Sequence, residues 1–184
     1  MRSPGPPGSC CQTSRNIATF AGAPEINRIG PDTTAEIGNP APDFELVDQT
    51  RSLVSLESLL GKKALIKFIP FPFTAVCEDE VCEVRDNLSS LTDLDTNIVV
   101  ITCDPMPSNA RWAAELGVSF PILSDFWPHG AVAQAYGCFN EAIGVAMRST
   151  YVLDADGIVR DIVATPILRE ARSMAAYHES LLSI

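Results

Sequence analysis

The chain has 184 residues, of which 46% are hydrophobic, and it carries a net charge of −10. This length and composition predict one compact domain, because chains of about 150 residues bury about 70% of the surface that they expose when unfolded. No apolar run approaches the roughly 18 residues of a membrane-spanning helix, and no cluster of Lys and Arg offsets the acidic charge, so we expect neither nucleic-acid nor membrane binding.

The chain divides into a tail and a domain. Residues 1–34 are rich in Pro, Gly and Ser and lack a periodic apolar pattern, which predicts a disordered tail before a domain of residues 35–184. In chain order the patterns predict strands at 44–47 and 64–69, a helix at 74–91, a strand at 97–102, helices at 108–116 and 132–136, strands at 149–153 and 158–164, and a helix at 167–182. The run 64–69 is apolar except for Lys67, as expected of a buried central strand.

Strands that alternate with helices predict an α/β domain with a partly parallel sheet. Residues 154–157, with the sequence Asp-Ala-Asp-Gly, predict a tight hairpin between the last two strands. Because a hairpin joins antiparallel strands, the central sheet is expected to be mixed.

A candidate nucleophile lies where a buried strand leads into a helix. Thr74 is a suitable N-cap residue, which places Cys77 in the first turn of the predicted helix. There the free backbone N–H groups and the helix dipole favour the thiolate over the thiol. A thiol that is only packed in the helix is the alternative at this point of the argument.

The other reactive side chains narrow the possible chemistry. The six cysteines stand at positions 10, 11, 77, 82, 103 and 138. The first residues lack the apolar segment of a secretory signal, so we expect a reducing, cytoplasmic compartment in which cysteines are more often catalytic or metal-binding than structural. His129 and His178 are the only histidines, so we expect no zinc site, no histidine-containing triad and no cofactor.

Several motifs occur together in one order. They are Gly-Asn-Pro-Ala-Pro-Asp-Phe at 38–44, P-x-x-x-T-x-x-C at 70–77, Arg85, Ser-Asp-Phe-Trp-Pro-His-Gly at 124–130, and Arg148 before 149–154. In these motifs the chain resembles the peroxiredoxin family, and its AhpE-type group in particular. The resemblance implies a thioredoxin-like fold with a mixed central sheet flanked by helices, and a thiol-dependent peroxidase activity.

The same resemblance implies roles for individual residues. Cys77 is expected to be the thiolate that attacks the peroxide, with Thr74 holding the peroxide in line. Arg148 is expected to keep the thiolate ionised and to stabilise the charge that grows on the leaving oxygen. Pro70 is expected to cover the sulfur and limit the access of water.

Two further residues of the predicted helix are expected to support the site. Glu80 matches a glutamate of the AhpE-type pattern, and Arg85 falls where the family has a related arginine. We expect Glu80 to orient either Arg148 or Arg85.

The sequence leaves several candidates for the thiol that reduces the oxidised cysteine. The chain departs from the AhpE-type pattern at Cys82, whose spacing from Cys77 resembles the BCP/PrxQ group, in which a second cysteine forms an intrachain disulfide. Five residues of helix rise about 7.5 Å, beyond the roughly 7 Å limit between Cα atoms, so this disulfide requires the helix to unwind. Packing of Cys82, resolution by Cys103 and an external thiol are the alternatives.

Partners and rival functions follow from the same features. The expected partners are a peroxide, either hydrogen peroxide or an organic hydroperoxide, and a reductant, either a thioredoxin-like protein or a low-molecular-weight thiol. In the family, the region that corresponds to Phe126 and Trp127 borders a dimer interface. The resemblance therefore implies a homodimer. The alternatives are a thioredoxin-fold thiol-disulfide oxidoreductase, which usually carries a C-x-x-C motif absent here, and a non-catalytic thioredoxin-fold binding module.

Overall fold

The structure is a computed structural model that describes residues 28–29 and 34–184. In chain order its elements are β1 (Arg28–Ile29), β2 (Phe44–Asp48), β3 (Leu53–Ser55), a 3-10 turn (Glu57–Leu59), β4 (Lys63–Phe68), α1 (Ala75–Asp86), α2 (Leu88–Asp93), β5 (Thr96–Thr102), α3 (Met106–Leu116), β6 (Ile122–Ser124), α4 (Ala131–Ala135), β7 (Phe139–Asn140), β8 (Val145–Ala146), β9 (Arg148–Leu153), β10 (Val159–Thr165) and α5 (Met174–Leu182). No helix in the described ranges is long and apolar enough to cross a membrane.

The central sheet is mixed, as the sequence predicts. Within the described chain it has eight strands in the order β1-β2-β6-β5-β4-β9-β10, with β3 paired to β2. Strands β4, β5 and β6 run parallel to one another. Strand β9 is antiparallel to β4, and β10 is antiparallel to β9. The α/β architecture with a closing hairpin is therefore confirmed.

The sheet separates two hydrophobic clusters, because successive side chains of a strand point to opposite faces. One face of β4, with Leu65 and Ile69, packs against α1, α2, α3 and α5. The other face, with Ile66 and Phe68, packs against α4 and the segments around β2 and β8. Helices thus cover both faces, and Cys77 belongs to the first cluster.

Two predicted helices differ in extent from the structure. The helix predicted at 74–91 is divided into α1 and α2 at Asn87, whose side-chain amide donates to the carbonyl of Glu83 at 2.8 Å. The helix predicted at 167–182 begins only at Met174, because residues 166–173 form a loop whose polar groups hydrogen-bond to Arg148 and Glu80. The apolar spacing continues through both irregular segments, which explains the longer predictions.

The predicted tail is largely outside the described residues. Of this tail the structure describes Thr34 and Arg28–Ile29, and the latter pair with β2 in antiparallel register. The short strands β6, β7 and β8 have two or three residues each, too few for a periodic pattern to predict.

Candidate active site

Cys77 lies in the first turn of α1, as predicted. Strand β4 ends at Phe68, and the chain enters the helix through Thr74, whose extended backbone (φ −110°, ψ 141°) is that of an N-cap residue. Just before it, Phe73 has a positive φ of 62°, a conformation that costs free energy for a bulky residue and is concentrated at functional sites. The Cys77 side chain is completely buried at this turn.

A guanidinium group contacts the sulfur of Cys77. Arg148 is the first residue of β9, the strand beside β4, and its Nη2 donates to Cys77 Sγ at 3.2 Å. Its Nε donates to the carbonyl of Leu168 at 2.8 Å, and its Nη1 pairs with Glu80 Oε2. With its nitrogens engaged and only 2% of the residue exposed, Arg148 is held in one orientation. Because arginine stays charged, this contact places a fixed positive charge against the Cys77 sulfur.

Glu80 collects three cations around one buried carboxylate. It lies three residues after Cys77, on the same side of α1. Its oxygens accept from Arg148, from Lys67 Nζ at 3.4 Å, and from Arg172 through the backbone N at 2.9 Å, Nε at 2.8 Å and Nη2 at 3.0 Å. Burial raises the pKa of Glu80, but the hydrogen bonds of Arg172 and the charges of Lys67 and Arg172 outweigh it and lower the pKa to about 2. Of the two arginines that Glu80 was expected to orient, the structure places Arg148 against it.

A second layer of polar groups supports this cluster. Tyr177 Oη accepts from Lys67 Nζ at 2.9 Å and from Thr150 Oγ1 at 3.2 Å, and Arg172 Nη1 donates to Thr150 Oγ1 at 3.0 Å. Burial lowers the pKa of Lys67 to about 7, with a further contribution from Arg172 and opposition from Glu80. We did not predict Arg172, Thr150 or Tyr177. The sequence does indicate that Lys67 is unusual, because it is a charged residue within an otherwise apolar strand.

The remaining residues of the P-x-x-x-T-x-x-C motif lie in the loop between β4 and α1. Pro70 is buried in this loop. Thr74 is exposed, and its Oγ1 donates to the carbonyl of Phe71 at 2.9 Å instead of capping the helix. The hydroxyl therefore stays at the surface of the loop, near the mouth of the site.

Arg85 and Cys82 form a separate group further along α1. Arg85 pairs with Asp86 at 2.8 Å and donates to the carbonyl of Leu116 at 2.5 Å. Its pKa is raised mainly by Asp86 and in smaller part by Cys82. Since five residues of α-helix turn through about 500°, half-buried Cys82 points about 140° away from Cys77 around the helix axis.

The other described cysteines lie across the sheet. Cys103 and Cys138 are buried in the cluster on the face opposite Cys77. Burial raises the pKa of Cys103 to about 12 and raises that of Cys138 still further. Cys103 is therefore separated from Cys77 and strongly favours the thiol. Cys10 and Cys11 are outside the described residues.

A cavity of about 300 Å³ lies beside Arg148. Its walls are Phe71, Thr74, Ala75, Val76, Arg148, Leu168 and Arg169. Arg148, which contacts Cys77 Sγ, is therefore one of the walls of the cavity. Its lining is mostly apolar, with two cationic side chains.

The chain is similar in sequence and fold to known proteins of one family. The model of the AhpC/TSA family matches residues 37–162. Alkyl hydroperoxide reductase E of Mycobacterium tuberculosis is 46% identical over 125 residues, which cover 67% of this chain and 82% of that protein. Peroxidoxin BcpB of the same organism superposes with a TM-score of 0.70 at 28% identity, covering 81% of this chain and 96% of that one.

Enterococcus faecalis AhpC has the same fold, with a TM-score of 0.74 at 24% identity over 82% of this chain and 92% of that one. The mixed sheet with helices on both faces is thus the thioredoxin-like fold of the peroxiredoxins. The chain belongs to the AhpC/TSA family and is a peroxiredoxin, a thiol-dependent peroxidase.

Proposed function

We propose that Cys77 is the residue that reduces the peroxide. The observation that carries the proposal is the contact of Arg148 with a cysteine in the first turn of a helix, because both features favour a thiolate. The thiolate attacks one peroxide oxygen, an S–O bond forms and the O–O bond breaks. The electron pair leaves on the second oxygen, which takes up a proton as water or alcohol, while Cys77 becomes a sulfenic acid.

The neighbouring residues take supporting roles in this reaction. Arg148 stabilises the negative charge as it moves from sulfur to the leaving oxygen, and Glu80 holds Arg148 in place. Thr74 directs the peroxide, since its exposed hydroxyl lies at the mouth of the site and needs only rotation to meet a bound oxygen. Pro70 covers the loop side of the sulfur. Arg85 acts on Cys82, which it contacts, more than on Cys77.

The substrate includes organic hydroperoxides as well as hydrogen peroxide. The cavity beside Arg148 has an apolar wall, which is formed by Phe71, Ala75, Val76 and Leu168. An organic hydroperoxide can bury its carbon chain there, at about 25 cal/mol per Å² of apolar surface, while hydrogen peroxide gains nothing from it. A bulky alkyl hydroperoxide is expected to react faster than hydrogen peroxide, and Val76→Asp is expected to reduce that preference.

An external thiol reduces the sulfenic acid, either a thioredoxin-like protein or a small thiol. A disulfide between Cys77 and Cys82 requires α1 to unwind, and Glu80, which lies between them, is bound by three buried cations. Resolution by Cys82 is the second candidate, favoured by its half-exposed position and by the cation of Arg85 beside it.

The chain works as a homodimer in a reducing compartment, the cytoplasm. Phe126 and Trp127 are 49% and 72% exposed and border an apolar cavity, which supports an interface at this surface. The four described cysteines are free thiols, as expected in a reducing environment.

The test is to add one equivalent of hydrogen peroxide to the reduced protein with a sulfenic-acid trap present, followed by intact-mass analysis and peptide mapping. A trap adduct on Cys77 in the unmodified protein, in the same yield as in Cys82→Ser and without loss of two hydrogens, supports an external reductant. Rapid loss of two hydrogens, mapped to a Cys77–Cys82 disulfide, supports resolution within the chain. If Cys77 stays reduced while the other cysteines react, its role as the peroxidatic residue is wrong.

A further inference from the structure

Lys67 is a lysine buried in the middle of the sheet. It lies on β4 between β5 and β9, opposite Thr150 in the register, and only 2% of it is exposed. Its Nζ lies 4.8 Å from the centre of the Tyr177 ring, 2.9 Å from the Tyr177 hydroxyl and 3.4 Å from Glu80 Oε1. A buried ammonium loses its hydration and persists only where partners replace the water. The fold provides those partners from α1 and α5.

A continuous line of contacts joins Lys67 to the reactive sulfur. Lys67 and Arg172 contact Oε1 of Glu80, while Arg148 and Arg172 contact Oε2. The other branch of the Arg148 guanidinium reaches Cys77. Arg172 is thus shared by the two carboxylate oxygens, whereas Lys67 contacts Oε1 and Arg148 contacts Oε2.

The net charge of this group of contacting side chains depends on whether Lys67 is protonated. Two arginines balance the Glu80 carboxylate and a Cys77 thiolate, so an uncharged Lys67 gives a neutral cluster. A protonated Lys67 adds one positive charge, which stabilises the thiolate and the anionic leaving oxygen in a poorly hydrated site.

We propose that Lys67 is a positioning residue of the peroxidase site, which fixes Glu80 from the sheet side so that Glu80 orients Arg148, and whose charge promotes the reaction at Cys77. The proposal rests on the assignment of Cys77 as the peroxidatic residue. Lys67 acts through Glu80 and Arg148 and does not touch the peroxide.

The surroundings of Lys67 give the proposal a pH dependence. The titratable and charged groups that act on Lys67 are Glu80 and Glu83 of α1, Arg172 of the loop before α5, and Tyr177 of α5. Its neighbours on the adjacent strands, Thr150 and Val100, are uncharged. Burial raises the pKa of Tyr177 to about 12, which keeps its hydroxyl neutral.

Since burial and Arg172 lower the pKa of Lys67 to about 7, Lys67 changes charge near neutral pH. The rate constant for peroxide should therefore rise as Cys77 ionises and fall again, several-fold, as Lys67 loses its proton.

The experiment compares Lys67→Met with Lys63→Met. Lys63 lies on the same face of β4, four residues earlier, and donates to the carbonyl of Leu181 at 2.6 Å, so it is a matched control without contact to Glu80. The second-order rate constant for Cys77 oxidation by hydrogen peroxide is measured by stopped flow from about pH 5 to pH 9, with thiolate absorbance as the titration.

Lys67→Met should lose the decline of the rate at alkaline pH and react several-fold more slowly at lower pH, where the unmodified protein carries the positive charge of Lys67. Lys63→Met should match the unmodified protein.

An identical pH profile in Lys67→Met and in the unmodified protein overturns the proposal. If the unmodified protein and Lys63→Met show no oxidation at Cys77, the proposed function fails instead. Circular dichroism establishes that each variant is folded. A measurement without substitution completes the test: NMR titration of lysine labelled at Cε should show Lys67 changing charge near pH 7. A Lys67 that is uncharged down to about pH 5 overturns the proposal, because it then has no positive charge to promote the reaction.

Discussion

Glu80→Gln tests the buried ion cluster directly. The amide keeps the shape of the side chain but removes the carboxylate that pairs with Lys67, Arg148 and Arg172. Removal of one partner from a buried ion pair costs about 3–5 kcal/mol. The lowering of the Glu80 pKa from 4.5 to about 2 gives a consistent figure, about 3 kcal/mol at about 1.4 kcal/mol per unit.

The sign of the pH dependence follows from the same shift. A depressed carboxyl pKa stabilises the folded state fully above the unfolded pKa, and the stabilisation is lost as the pH falls through about 2. The loss of stability in Glu80→Gln should therefore be about 3 kcal/mol at pH 7 and about 2 kcal/mol smaller at pH 3.

Urea unfolding of the reduced protein, followed by circular dichroism at both pH values, measures this difference. Asp79→Asn is the control, since it removes an exposed carboxylate from the neighbouring position of α1 and should change stability by about 0.5 kcal/mol or less. A loss below about 1 kcal/mol in Glu80→Gln at pH 7, or the same loss at both pH values, would refute the electrostatic argument.

Three further predictions follow from the described contacts. Arg148→Lys should lower the rate constant for peroxide about 100-fold or more, because one ammonium cannot contact Cys77 and Glu80 in the same planar geometry. Stopped-flow kinetics measures this rate constant, and a decrease of less than about 5-fold contradicts the prediction. Cys103→Ala should leave that rate constant unchanged within about 2-fold, since Cys103 lies across the sheet. Gly130→Ala should destabilise the protein by at least about 2 kcal/mol more than Gly117→Ala in thermal unfolding. Both glycines have φ near +65°, but of the two only Gly130 would bring a new Cβ into overlap with the ring of Phe139; equal losses contradict this.

The sequence predicts the parts of the site that depend on local structure. A cap residue after a buried strand is enough to place Cys77 in the first turn of a helix. Arg148 and Cys77 are 71 residues apart in the chain, and their contact depends on the pairing of β4 with β9. Local patterns contain no information on such pairing, so Arg148 was identified from the family resemblance alone.

Arg172 shows where prediction from the sequence fails. Its surroundings have the apolar spacing of a helix, but the structure forms a loop because Arg172 donates to Glu80 through both its backbone and its side chain. Those bonds join residues 92 apart and outweigh local helix propensity. Lys67 is the intermediate case, since its charge in an apolar strand indicated an unusual site but not which partners it has.

The position of the sheet between the two groups of thiols also limits how oxidation can spread through the molecule. A sulfenic acid at Cys77 faces α1 and the cavity, whereas Cys103 and Cys138 lie behind a continuous layer of hydrogen-bonded strands. Disulfide exchange needs sulfur atoms in contact, so these two thiols cannot take over the oxidised state while the fold is intact. If a thiol of another molecule reduces Cys77, as proposed above, it has to approach from the face of the sheet that carries α1 and the cavity lined by Phe71 and Thr74, so the shape of the loop that carries these two residues would select the reductant.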